Sequence, residues 1–189
     1  MKIKNQEYPK NTFTNLSKKI IVLLFVVMPT FIFAQSTFDK FEDNDKVKAM
    51  IVNKKMFELM SKVKVDAKDK EMQQYFALLK KLDNLKVFVS DDAKVSTEMK
   101  SSVSSYLKSN PLEELMRVNS DGKNVKIYVK NATNSSIVKE LLMLVEGNLK
   151  DTPTVILSLT GEFNLDDISM LTEKMSLPGG DDLKKASKK

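Results

Sequence analysis

Apolar and polar residues follow two different periods along this chain, and the switches between them mark out its elements. VKAMIVNKKMFELM opens with an extended run from Val47 to Asn53 and passes into a short helix ending near Met60. SKVKVDAKDK is a polar break. From Asp69 to Leu82 the apolar residues Met72, Tyr75, Phe76, Leu79 and Leu82 recur at helical spacing, with Lys and Gln opposite. LKVFVS then alternates, Leu85, Val87 and Val89 sharing one side, as a strand requires. Val95, Met99, Val103, Tyr106 and Leu107 return to helical spacing between Lys94 and Lys108. Asn110-Pro111 ends that helix, because the residue before a proline avoids helical geometry. Ahead of all this, Phe38 and Phe41 stand three apart in the polar run of residues 36–46, which suits one helical turn or an ordered arm.

The second half reads as strands joined by turns. LEELMRV and NVKIYVKN flank Asp121-Gly122, a strong hairpin signal. Val125, Ile127 and Val129 alternate with Lys126, Tyr128 and Lys130, so one face of that strand is polar. SSIVKELLMLVEG fits either a buried strand or a three-turn helix, and intrinsic propensity favours the helix. TPTVILSLTGEF is a strand that stops near Gly161. Asn164 is placed to cap the helix that follows, Asp166 and Asp167 lie in its first turn, and Phe163 and Ile168 hold the two positions of a hydrophobic staple. The expected architecture is α+β: a mainly antiparallel sheet with the 69–82 and 94–108 helices packed on one face.

The first 34 residues stand apart. Lys2, Lys4, Lys10, Lys18 and Lys19 precede the short apolar run Ile20–Ala34, which Pro29 interrupts before the small Ala34. A bilayer-spanning helix needs roughly 20 continuous apolar residues, so this pattern reads as a cleaved signal peptide. The expected organisation is a signal peptide over residues 1–34, one domain over 35–177, and a disordered Lys-rich tail over 178–189. Cleavage near Ala34 would release a protein that is soluble in the periplasm or the exterior, with no membrane span left.

Charge and composition then narrow the function. The whole chain carries a formal +6, but the excess sits at its two ends; residues 35–177 hold 22 basic and 22 acidic side chains. A neutral body with Arg117 as its one arginine lacks the basic footprint of nucleic-acid binding. There is no histidine and no cysteine. Ser-His-Asp and Cys-His catalysis, the usual zinc ligand sets and a disulfide framework are thereby excluded.

Three weaker candidates remain. Ser61 and Lys64 match the spacing of serine acyl-transferases, but in a polar break and without companion motifs, so chance is the better reading. Asp91-Asp92, Glu113-Glu114 and Asp166-Asp167 are carboxylate pairs. Sequence neighbours on a strand point to opposite faces, and a hard cation at Asp91 and Asp92 would need several more oxygen ligands. Met50, Met56, Met60, Met72 and Met99 read as core filling, with a Met-lined groove for an apolar ligand or a partner's strand as the alternative. No catalytic, cofactor-binding or metal-binding residue is assigned.

MIVNKKMFELM, LKVFVSDD, LEELMRVNSDGKNVKIYVK, ELLMLVEG and VILSLTGEFNLDDISMLTEKM, in that order behind a leader ending FAQ, resemble the domain of unknown function 4252 family, small exported proteins of the Bacteroidetes. The likeness spans roughly residues 37–175. It implies an α+β domain, tilts IVKELLMLVEG toward a strand, and implies no activity. Many relatives look like lipoproteins, from which this chain departs in having no cysteine. The expectation is a non-catalytic envelope protein that binds a protein partner or envelope component. A carrier of an apolar ligand and a carboxylate-based hydrolase are the alternatives.

Overall fold

The computed structural model describes residues 37–187 apart from 65, 67, 121, 133–135 and 148–151; the leader and its cleavage point lie outside them. Six antiparallel strands form one sheet in the order β1-β2-β6-β5-β4-β3. They are β1 (Lys48–Asn53), β2 (Leu82–Ser90), β3 (Glu113–Ser120), β4 (Lys123–Asn131), β5 (Val138–Glu146) and β6 (Thr154–Phe163). The helices are α1 (Lys54–Met60), α2 (Lys70–Leu79), α3 (Ala93–Ser109), α4 (Leu165–Lys174) and α5 (Gly180–Ser187), preceded by a 3-10 turn at Asp39–Phe41. The α+β class and the antiparallel sheet are those the residue pattern predicts.

Local chemistry sets most boundaries. Asn53, Asp69 and Asp92 each accept a bond from a first-turn backbone N–H, so α1, α2 and α3 all begin at a capping side chain. Gly122 takes φ +74°, as a two-residue hairpin demands, and Ser120 pairs with Lys123 across it. Asn164 does occupy the cap position of α4, but its side chain makes no capping bond; its carbonyl accepts from the Asp167 N–H instead.

The sheet has two covered faces, and this corrects the expectation that the helices share one. On the first face Leu85, Val87, Leu141, Met143, Leu157 and Leu159 pack with Phe57 of α1, Tyr75 and Leu79 of α2, Ile168 and Leu171 of α4 and Leu183 of α5. On the second, Phe88, Leu142, Leu144 and Ile156 pack with Val95, Met99 and Val103 of α3 and with Phe38 and Phe41 of the N-terminal turn. β2, β5 and β6 are apolar on both sides, so each face needed its own cover.

Two further points concern single segments. Residues 138–146, left open between strand and helix by the residue pattern and tilted toward a strand by the resemblance, form β5 and not the helix that propensity favours. Its pairing with β4 and β6 and its burial on both faces outweigh a preference of a few tenths of a kcal/mol per residue. The expected disordered tail instead forms α5 from Gly180. Gly179, at φ +78°, turns the chain back, and Leu177 and Leu183 reach the first core. Lys123 Nζ holds the buried Asp182 Oδ2 at 3.1 Å.

Candidate functional site

Across β2, β6 and β5, the second face carries a patch of polar side chains inside otherwise apolar strands. Asn84, Thr160 and Glu140 are register partners in one row, and Lys86 and Ser158 are partners in the next. The following row, Phe88, Ile156 and Leu144, is apolar and lies under α3. Two bulges meet at the polar row, one between Leu82 and Asn84 and one between Val138 and Glu140. Bulges re-aim side chains and are frequent beside functional sites. Gly161 permits the first: its φ is +153°, and a Cβ there would stand 2.4 Å from the Lys81 carbonyl oxygen.

Phe38 and Tyr106 roof this patch, their ring centroids 5.3 Å apart and the planes tilted by 40°. Roof and floor enclose a cavity of about 110 Å³. Tyr106 Oη donates to Glu140 Oε1 at 2.5 Å, with the two residues only 4% and 8% exposed. Burial, then the hydrogen bond to Glu140 and its charge, push the Tyr106 phenol far above its ordinary range, so it stays a donor. Lys86 donates to Asp39 Oδ1 at 2.5 Å and to Glu42 Oε1 at 2.7 Å. Burial pulls the Lys86 ammonium down, but the bonds and charges of those two carboxylates outweigh it and hold the group above the usual lysine value. Asn84 Oδ1 and Thr160 Oγ1 are buried without a hydrogen-bond partner among the described residues. The site is rich in acceptors, its ammonium spends two of its three N–H donors on Asp39 and Glu42, and among the described residues neither Ser158 nor Thr160 is bonded to a base.

None of these residues was singled out from the sequence. Polar positions alternating with apolar ones, as in LDNLKVFV and VILSLTG, read as the wet side of a strand. The available signal was Glu140, a lone acid within VKELLMLV, where Val138 and Leu141 to Val145 are apolar and buried.

The candidates read from the sequence do not converge. Ser61 follows the end of α1 and donates to the Glu58 carbonyl at 2.8 Å, while Lys64 is exposed. Asp92 caps α3 and pairs with Lys46, whose hydrogen bond lowers the carboxyl pKa; the neighbouring Asp91 is exposed. Glu114 forms a bidentate pair with Arg117 on the edge strand β3, where Glu113, Glu114 and Arg117 are all exposed. Asp166 and Asp167 lie in the first turn of α4. Among the described residues no three acidic groups cluster so as to hold a metal ion. Met50, Met60 and Met72 pack partly buried against the first core and Met99 is wholly buried in the second, whereas Met56 is exposed.

A second feature lies at the sheet margin. Among the described residues the exposed large apolar side chains are Ile51, Met56, Leu59 and Val63, between 44% and 60% exposed. All fall in or just after β1 and α1. β1 is an edge strand, paired on one side with β2. Residues 48–64 carry five lysines and one acid, so these apolar side chains stand in a basic stretch of the chain. No helix among the described residues is long and apolar enough to cross a membrane.

The model of a family described as Domain of unknown function (DUF4252) matches residues 41–171, and the chain belongs to that family. No curated protein and no solved structure matches it.

Proposed function

We propose that this member of the family is an exported, non-catalytic protein of the cell envelope that acts by binding another protein through its β1–α1 margin. The observation that carries this reading is the concentration of exposed apolar side chains beside an edge strand with an unpaired side among the described residues. Exposed edges are usually blunted, because their free N–H and C=O groups invite another strand. Here Lys48 stands on the edge and Lys54 and Lys55 just beyond it, but Ile51, Met56, Leu59 and Val63 remain open. A partner fits if it brings an extended apolar segment flanked by acidic residues. Backbone pairing then supplies affinity and the side chains supply register. The leader pattern supports export, and the scattered carboxylates together with the missing His and Cys support a non-catalytic role.

The test is a photo-crosslinking residue at Leu59 in intact cells, with the same group at exposed Lys130 as the control. A reproducible adduct specific to position 59, abolished by Met56→Asp, supports the reading. Equal labelling from both positions sinks it. The larger openings favour an apolar carrier less. One of about 550 Å³ is lined by Lys54, Lys80, Lys81, Asp83 and Glu162 with Ile137, a charged wall rather than an oily one.

A further inference from the structure

The polar pocket on the second face has a different chemistry from the β1–α1 margin. We infer that it is a binding site for a primary ammonium group, carried by a small free amine or by the tip of a lysine side chain.

Three acceptors stand side by side on its floor: the Glu140 carboxylate, Thr160 Oγ1 and Asn84 Oδ1. Two of these are buried orphans, and the third accepts only the Tyr106 hydroxyl among the described residues. Native proteins seldom leave such atoms unsatisfied, and a buried carboxylate calls for a cation. A primary ammonium offers three N–H donors to three acceptors. Charge points the same way. Glu140, Asp39 and Glu42 face a single enclosed cation, Lys86, which is already committed to two of them; Lys130, opposite Glu140 on β4, is exposed. An anion would meet more negative than positive charge inside, since three carboxylates outnumber the one ammonium. The Phe38 and Tyr106 rings supply π faces for the charge and an apolar wall for a short alkyl stem. The volume of about 110 Å³ admits about four water-sized groups, the scale of a three-carbon amine.

Calorimetry on the purified protein at neutral pH tests this with n-propylammonium, n-propanol as its neutral counterpart, and Nα-acetyl-lysine methylamide. Propylammonium is expected to bind and propanol to bind at least about tenfold more weakly, the worth of a charge-assisted bond. Glu140→Gln should remove that preference. Thr160→Val, which keeps the shape and deletes an orphan hydroxyl, should weaken propylammonium while leaving the protein folded. If the lysine amide binds as well as propylammonium, the natural source is a protein side chain; if it is excluded while propylammonium binds, the source is a free amine. Equal binding of propylammonium and propanol, or no binding of either, overturns the inference and leaves a water-filled cavity. Crosslinking at Leu59 reads none of these quantities, so the two proposals fail separately.

Discussion

The two faces of the sheet are built from the same strands yet behave as different materials. On the first, β2, β6 and β5 present Leu85, Leu159 and Leu141 in one row and Val87, Leu157 and Met143 in the next, and four helices contribute to the cover. On the second, one long helix and one turn cover an apolar half, and the face then changes to Lys86 and Ser158 and to Asn84, Thr160 and Glu140. Packing alone explains the first face, since each buried aliphatic side chain contributes about 1.5–3 kcal/mol. It does not explain the second, where buried polar groups cost free energy unless something answers them. That contrast locates the pocket where the face departs from what packing alone would select.

Adjacent residues of β6 expose the difference most sharply. Leu157→Ala, on the first face, should lower stability by about 2–5 kcal/mol, the range for a truncated core leucine. Ser158→Ala, one residue on and facing the pocket, should leave the unfolding midpoint near that of the wild type, because no hydrogen bond to another described residue is lost. Denaturant titrations of the two variants decide it. Similar losses would mean that the second face is a core like the first.

Tyr106→Phe comes next. It strips the nine-tenths-buried Glu140 of its donor and should cost about 1–3 kcal/mol at neutral pH.

The alkaline limb of stability also belongs to the second face. Tyr106 and Lys86 both have folded pKa values above their unfolded ones, so each holds its proton more tightly when folded. Their contribution is complete below the unfolded values near pH 10 and is lost as pH rises toward and through the folded ones. Urea midpoints measured from neutral to strongly alkaline pH should therefore fall, and should fall less steeply in Tyr106→Phe and in Lys86→Met. An unchanged slope in both variants would separate the alkaline loss from this face.

The smallest effect is expected on the open half of the second face. Glu114 and Arg117 make a bidentate pair there, but the arginine is exposed and salt screens it. Glu114→Gln should not separate from the wild type in a thermal melt.

Much of this molecule was legible from residue order alone. Period-two alternation in VKIYVK and VILSLT, helical spacing from Met72 to Leu79 and from Val95 to Tyr106, and Asp121-Gly122 between two strands specify elements through local geometry, and local geometry is what sequence spacing encodes. The same reading carried the α+β class and the family. It stopped short where neighbours distant in the chain decide. IVKELLMLVE becomes a strand because β4 and β6 claim its backbone on both edges, overriding its own preference. α2 and α3 carry similar apolar stripes, yet sheet connectivity sends them to opposite faces. Leu183 makes a helix of the expected tail because a core lies within its reach. The pocket is the clearest case. Phe38, Asn84, Lys86, Tyr106, Glu140, Ser158 and Thr160 come from five separate segments, and each alone reads as an ordinary aromatic or an outward polar position. Residue order set each side chain's direction relative to its own strand or helix; tertiary packing decided which of those directions met water and which met one another.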